Sequence, residues 1–410
     1  MLRHLVLDEL QSDSVTVELD EETMASLRDT GLVSVAPARG GRWVILPCGP
    51  VGAVQVGELL VEVKPKAKVG LSRLLFLLGY ARNPGFRPDD VTGLEDKDLF
   101  SALAESLVRQ AERAFSQGVL NGYVSVDDAL RTVRGRIRVG DQMTRRPGML
   151  IPLEVSYDDF TVDIPENRIL RGAIRLMLHL PRLSGDLQAR LGHLDAKLDG
   201  VALLRPGRAR PVWRETRLND RYVPALRLAE IILQNMSAEA GLGRQTVTSF
   251  VVNMATVFED FVTTALTEAL SKYPGQTMAQ YETYLDEEDG RPNAKRVQMY
   301  VDVVHEIERL PALIFDAKYK AASFSGYPNA DHYQMLAYCT ALRLPVAWLV
   351  YAGSGPSRTR RIRNSEVSIV EFPIDVSQTP EMLLVRVQRL ADSALRFRVG
   401  SALAEPVLMD

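Results

Sequence analysis

Hydrophobic and polar positions alternate with a period near two along the first 65 residues. The runs LVLDEL, SVTVEL, LVSVAP, RWVILP, AVQV and LLVEVKPK are short, apolar and divided by Gly and Pro. That pattern predicts a β-rich N-terminal region. One helix interrupts it over about Glu21–Arg28, with Asp20 placed to cap its first turn. A second follows at Leu71–Tyr80, LSRLLFLLGY; apolar nearly all round, it predicts a helix buried or docked on a partner.

From Leu99 the period shifts to 3.6. Helices are predicted over Leu99–Gly118, Asn167–Leu180, Ser184–Leu198 and Val223–Met236, with a mixed stretch after Gly118 and a strand at Leu150–Tyr157. Ile169, Leu170, Ala173, Ile174, Met177 and Leu178 share one face, and Arg168, Arg171 and Arg175 lie on the other. Arg205, Arg208, Arg210, Arg214, Arg217 and Arg221 crowd a Pro-containing connection that is either a solvated loop or a strip contacting phosphate or another subunit. The Ser/Gly run at Ser237–Gly243 marks a boundary. Beyond it a helix is predicted over about Phe250–Tyr273, then strands at Thr277–Leu285, Arg296–His305 and Ala312–Lys318. A helix at Asp331–Leu342, strands at Val346–Tyr351 and Val367–Phe372 and a closing helix at Pro380–Val399 follow. The expectation is a multidomain α+β protein: a β-rich N-terminal region (1–95), a largely helical middle region (96–240) and a C-terminal mixed sheet flanked by helices (241–400).

Composition narrows the classes. The chain has 410 residues, 46% hydrophobic and 25% charged, with a formal net charge of −3. That is a globular composition, and no overall basic field announces a nucleic acid, so such a partner would be held by local patches. Two cysteines, Cys48 and Cys339, form no CxxC pair and fit a reducing cytoplasm. The N-terminal residues carry acids where a secretory signal needs an apolar core, and no apolar run approaches a membrane span.

The chemistry concentrates in YVDVVHEIERLPALIFDAKYK, residues 300–320. Two apolar runs, Val301–Val304 and Ala312–Phe315, read as paired strands. Alternation puts Asp316 and Lys318 on one side, and Asp302 could face them from the neighbouring strand. Two carboxylates and an ammonium on a sheet suit a divalent cation and a phosphodiester. Glu259 sits on the edge of the apolar stripe of its helix and Asp260 among threonines, so Glu259 is the acid expected to point inward. Gln334 and Tyr338 fall one turn apart on one helix face and could both reach the site. Each feature alone is ordinary: a D-x-K is commonly a surface ion pair, and Gln334 alone reads as a helix-surface residue. His305 and His332 read as surface or hydrogen-bonding residues ahead of metal ligands, since Mg²⁺ does not need borderline ligands. Arg358, Arg360, Arg361 and Arg363 lie between two late strands, as a solvated turn or a grip on the DNA backbone.

Taken together, helix Glu, strand Asp, D-x-K and Q-x-x-x-Y resemble the PD-(D/E)xK nuclease order. The strings FEDFV (258–262), FDAKYK (315–320) and DHYQMLAY (331–338), with EVKPK (62–66), RGRI (134–137) and YDDFTVDIPENRIL (157–170), resemble the McrC subunit of modification-dependent McrBC restriction systems. The family's Pro-Asp is here Val301–Asp302, a departure that removes no catalytic group.

The resemblance implies a nuclease using Mg²⁺, with Mn²⁺ able to substitute. Glu259, Asp302 and Asp316 would be metal ligands, Lys318 and Gln334 catalytic groups, and Tyr338 with the four arginines would contact DNA. It further implies a bacterial or archaeal cytoplasm, a McrB-like AAA+ GTPase hexamer in whose pore the N-terminal part (1–95) docks and whose hydrolysis it stimulates, double-stranded DNA carrying modified cytosine, no membrane, and room for pairing of two copies. No GxxxxGK[ST] occurs in the chain, so nucleotide hydrolysis would reside in the partner. Two rival readings remain at this stage: an adaptor of an NTPase ring with a structural acidic cluster, and a stand-alone nuclease with its own DNA-reading domain.

Overall fold

The computed structural model describes residues 3–9, 14–65, 69–82, 86, 98–180, 183–205, 209–240, 246–287, 296–319 and 329–402. They divide into two compact units, residues 1–99 with 239–410, and 100–238.

The N-terminal segment of the first unit contains β1 (Arg3–Asp8), β2 (Val15–Val17), α1 (Glu21–Asp29), β3 (Val33–Pro37), β4 (Trp43–Pro47), β5 (Val51–Val56), β6 (Leu59–Lys64) and α2 (Leu71–Arg82). Asp20 caps α1 as expected, its carboxylate accepting the Thr23 N–H at 2.7 Å. Strands β2, β4 and β3 form a small antiparallel sheet. Helix α2 is buried: Leu74, Leu75, Phe76, Leu77 and Tyr80 are all core residues. Phe76 and Tyr80 pack their rings against Phe261, 6.0 and 5.6 Å between centroids. The all-round apolar character of this helix is spent inside the unit.

The second unit contains α3 (Leu99–Ala114), β7 (Gly122–Leu130), β8 (Arg136–Ile137), α4 (Val139–Arg145), β9 (Leu153–Thr161), α5 (Pro165–Leu178), α6 (Gly185–Lys197) and α7 (Val223–Asn235). The apolar stripe of α5 is buried as its spacing requires, and Arg171 and Arg175 both pair with Asp195 of α6. The sheet β7-β9-β8 differs in character. It and its connections leave Tyr123, Val133, Val139, Met143, Leu150 and Phe160 exposed. In the arginine-rich connection Arg221 bonds Gln117 and the Gly118 carbonyl, Arg208 lies outside the described residues, and Arg205, Arg214 and Arg217 are solvent-facing.

The chain returns to the first unit through β10 (Met236–Ala240) and β11 (Thr246–Val252). Strand β11 pairs antiparallel with β5, completing a five-stranded sheet β1-β6-β5-β11-β10. Residues 250–252, expected to open a helix, are therefore strand, because the backbone of Phe250 is taken by Ala53 across the ladder. The crossing is tight: Gly52 has φ +137°, and a Cβ there would lie 1.9 Å from the Phe250 carbonyl oxygen. Asn253 then caps α8 (Met254–Leu270) by accepting the Ala255 N–H at 2.9 Å.

The remaining elements are β12 (Gln276–Tyr284), β13 (Gln298–Ile307), β14 (Leu310–Lys318), α9 (Asn329–Leu342), β15 (Val346–Ala352), β16 (Arg358–Arg361), β17 (Ser368–Ile374) and α10 (Pro380–Ala402). They form a six-stranded mixed sheet in the order β12-β13-β14-β15-β17-β16. β12, β13 and β14 pair antiparallel, and β14, β15 and β17 run parallel. On one face α9 sends Met335, Tyr338 and Cys339 into a core with Ile314, Leu349 and Tyr351. Phe315 and Trp348 lie on the other face, where Trp348 meets Phe397 of α10.

Candidate active site

The mixed sheet buries three acids, Asp302 at 7% exposure, Asp316 at 1% and Glu371 at 2%, where only hydrophobic side chains would be free of a desolvation penalty. Asp316 and Lys318 project to the same side of β14, as the alternation predicts, and form an ion pair with Nζ 2.6 Å from Oδ2. Beyond that pair neither oxygen of Asp316 accepts a hydrogen bond. Asp302 on β13 accepts the Ala317 N–H at 2.8 Å, so its carboxylate is clamped to the strand that carries Asp316.

The strand alternation breaks at Asp302. Val301 and Val304 join the same buried cluster under α9, although strict alternation would send them to opposite faces. Opposite Asp302, between the pairs Ala279–Val303 and Tyr281–Val301, stands Gln280 with φ +48°, a left-handed conformation uncommon for a side chain of its kind. Glu259 comes in from α8 half-buried, while Asp260 is exposed, as the helical spacing requires. Gln280 donates to Glu259 Oε1 at 2.7 Å.

The electrostatics follow from this crowding. Burial, then repulsion from Asp302, pushes Asp316 up to about 7, against the opposing pull of Lys318. Burial and Asp302 likewise raise Glu259, whose carboxyl group is a hydrogen-bond neighbour of Asp302. Burial lowers the Lys318 pKa, but Asp316 and Asp302 outweigh it and the pKa is raised. Gln334 donates to Tyr338 Oη at 2.6 Å, and the Tyr338 hydroxyl donates to the Tyr300 carbonyl at 2.5 Å. Burial and the nearby Asp316 push Tyr338 up to about 12, so it stays a neutral donor.

The structure thus gathers Glu259, Asp302, Asp316, Lys318, Gln334 and Tyr338 around one end of β13 and β14. The arginines stand apart. Arg358, Arg360 and Arg361 lie on the edge strand β16, three strand spacings from β14, about 14 Å; Arg363 follows in the exposed turn. Arg360 is held by Glu371, which also accepts from His332 Nε2 at 2.8 Å. His305 is a core residue: Nδ1 meets the Thr277 hydroxyl at 2.9 Å and Nε2 the Pro274 carbonyl at 3.1 Å, and burial lowers its pKa. Both histidines therefore serve as hydrogen-bonding residues.

Three polar residues escaped the sequence reading. Asp331, buried in the first turn of α9, accepts from the Tyr351 hydroxyl at 3.4 Å and adds to the negative field on Asp316. Glu371 had a signal, an acid in the middle of the apolar run SIVEFPI. Gln280 had none, because its role depends on a backbone conformation and a contact with a distant helix.

A hard divalent cation fits this donor set. Asp316 offers a buried carboxylate with no donor beyond its Lys318 pair, beside a second carboxylate that keeps one oxygen outside its backbone bond. Among the described residues no three His, Cys, Asp or Glu side chains are gathered tightly enough to hold an ion unaided. An ion here would draw further ligands from water or substrate, the habit of Mg²⁺, which dehydrates reluctantly and is held by one or two carboxylates plus phosphate.

Fold and site define the class: an α+β protein whose mixed sheet carries a buried carboxylate–lysine site. The chain belongs to the family of McrBC 5-methylcytosine restriction system components, whose model matches residues 48–352. It is similar in fold, at 17% identity and a TM-score of 0.63, to a chain of the refined half-complex from the tetradecameric assembly of Thermococcus gammatolerans McrB AAA+ hexamers with bound McrC, over 95% of this chain and 100% of that one. A weaker likeness, 18% identical with a TM-score of 0.41, covers 67% of this chain and 90% of a chain of the Thermococcus gammatolerans McrBC complex. No curated protein sequence matches significantly. Among the described residues no helix is long and apolar enough to cross a membrane.

Proposed function

We propose that this chain is the McrC-type nuclease subunit of an McrBC-like restriction system. It cuts double-stranded DNA carrying modified cytosine with Mg²⁺, or Mn²⁺ in its place. It does so coupled to a McrB-like AAA+ GTPase hexamer whose GTP hydrolysis it stimulates. The observation that carries the reading is Asp316: a fully buried carboxylate whose one donor is its ion-pair partner Lys318, with a second acid, Asp302, beside it. A buried acid left in that state lowers stability, and a cation-dependent reaction gives it a use. The order Glu259, Asp302, Asp316-x-Lys318, Gln334-x-x-x-Tyr338 is that of a PD-(D/E)xK nuclease.

The bound cation would neutralise the scissile phosphate and acidify a water. Asp302 and Asp316 would hold it, with Glu259 reaching from α8 as a further ligand or as the orienter of a water. Lys318, kept charged by both acids, would sit against the attacking water or the developing phosphate charge. Gln334 and Tyr338, locked to each other and to the Tyr300 carbonyl, would fix the wall of the site formed by α9. Docking to the ring needs a face not consumed by folding. Helix α2 no longer offers one, whereas the 122–161 segment exposes Val133, Val139, Met143 and Leu150.

The rival reading, an adaptor with a structural acidic cluster, draws on the lack of three closely gathered ligands among the described residues. The deciding experiment is cleavage of methylcytosine-containing plasmid with a McrB-type ring, GTP and Mg²⁺. Asp316→Ala and Lys318→Ala are each expected to lose at least a hundredfold in cutting rate while stimulated GTP hydrolysis persists. Cutting at the wild-type rate by either variant sinks the nuclease assignment and leaves the adaptor.

A further inference from the structure

Gln280 occupies a position where the backbone is strained and the side chain is engaged. Its φ of +48° falls in the middle of β12, a strand of nine residues. A left-handed non-glycine residue costs of order 1 kcal/mol or more and persists where the surroundings impose it. Glycine would carry this conformation without that penalty, yet a glutamine stands here. It lies opposite Asp302, at the point where β13 departs from regular alternation. Its amide donates to Glu259 Oε1 at 2.7 Å, although the side chain itself is solvent-exposed. An exposed side chain gains little fold stability from one such bond. Holding a carboxylate in place is a sufficient reason for the strain.

We infer that Gln280 is a positioning residue of the acid–lysine site: its amide fixes one oxygen of Glu259 so that the second is presented beside Asp302 to a divalent cation. The inference rests on the metal-dependent reading above. Partners of this kind, one bond removed from a metal, change affinity by about 10- to 100-fold when removed. A donor amide suits the task because it neutralises nothing: the negative charge of Glu259 is kept for the ion.

The test uses the full chain with Gln280→Gly and Gln280→Glu, and Asp316→Ala as reference. The glycine variant keeps the left-handed backbone and loses the amide; the glutamate variant keeps the shape and replaces the donor by a repelling carboxylate. Melting temperature, Mn²⁺ affinity by calorimetry without DNA, and kcat and KM for DNA with the ring partner are measured for each. Gln280→Gly is expected to melt at or up to about 2 °C above the wild type. Its Mn²⁺ affinity is expected to fall about tenfold and its kcat at fixed Mn²⁺ likewise, with KM for DNA unchanged. Gln280→Glu is expected to lose more. If the wild type binds Mn²⁺, Asp316→Ala does not, and both Gln280 variants bind as the wild type does, the positioning role is overturned. Equal calorimetric traces for the wild type and Asp316→Ala overturn the metal-dependent reading itself.

Discussion

Asp316 and Glu371 lie in one row of the same sheet, related through Leu349 between them, and both are sealed from water. Their surroundings differ in one respect. Glu371 has two cationic or hydrogen-bonding partners on a single oxygen, His332 from α9 and Arg360 from the edge strand. Asp316 has one ion pair, with Lys318, a second acid nearby, and no hydrogen-bond donor beyond that pair. A protein that needs a buried acid for structure surrounds it with donors. An acid kept short of donors, next to another acid, is arranged for something that arrives from outside. It is therefore the incomplete pairing of Asp316, and not its burial, that supports the proposed role.

Identical chemistry at the two positions breaks or sharpens that contrast. Asp316→Asn should reduce DNA cleavage by at least a hundredfold, about 2.7 kcal/mol of barrier, whereas Glu371→Gln should leave kcat within about threefold. A large loss in both would make the row a single catalytic unit. The same pair should diverge in stability. Asp316 binds its proton more tightly folded than unfolded, so its contribution is present below about pH 4 and is lost as pH rises through about 7. Asp316→Asn should accordingly melt like the wild type near pH 4 and be more stable than the wild type at pH 8 without divalent ions. Glu371→Gln should instead destabilise by about 1–2 kcal/mol at pH 8, because a satisfied acceptor is weakened. Thermal melts at the two pH values separate these signs.

Smaller still is the effect of the ion on the fold. At ten times its dissociation constant Mn²⁺ should stabilise the wild type by about 1.4 kcal/mol and Asp316→Asn not at all; equal shifts would move the ion away from Asp316. The smallest effect is expected at the sheet edge. Arg358→Ala with Arg361→Ala should weaken DNA binding evenly across sequences and lower the salt slope by about two, while Arg360, tied to Glu371, reports on stability.

Local periodicity made much of this legible. The D-x-K pair faces one way because strands alternate. Glu259 rather than Asp260 turns inward because a helix repeats every 3.6 residues, and Gln334 meets Tyr338 because they are four apart. What could not be read depended on partners distant in the chain. Residues 250–252 form a strand because β5 waits for them, which no window around Phe250 reveals. Helix α2 looks identical in sequence whether it covers a core or a partner; the packing of Phe76 and Tyr80 on the Phe261 ring decides it. Gln280 reads as an ordinary strand polar residue until its backbone angle is known.

The pairing of β5 with β11 has a consequence for how the protein is made. β5 is the middle strand of its sheet, and its second neighbour is synthesised about 190 residues later. At ribosomal speeds of about 5–20 residues per second, the nascent chain carries an open, apolar strand edge for roughly 10–40 s. An edge of that kind invites pairing with other chains. Slow emergence of the intervening segment makes the early protein a natural client for holding chaperones, and shortening that delay should raise the yield of soluble chain.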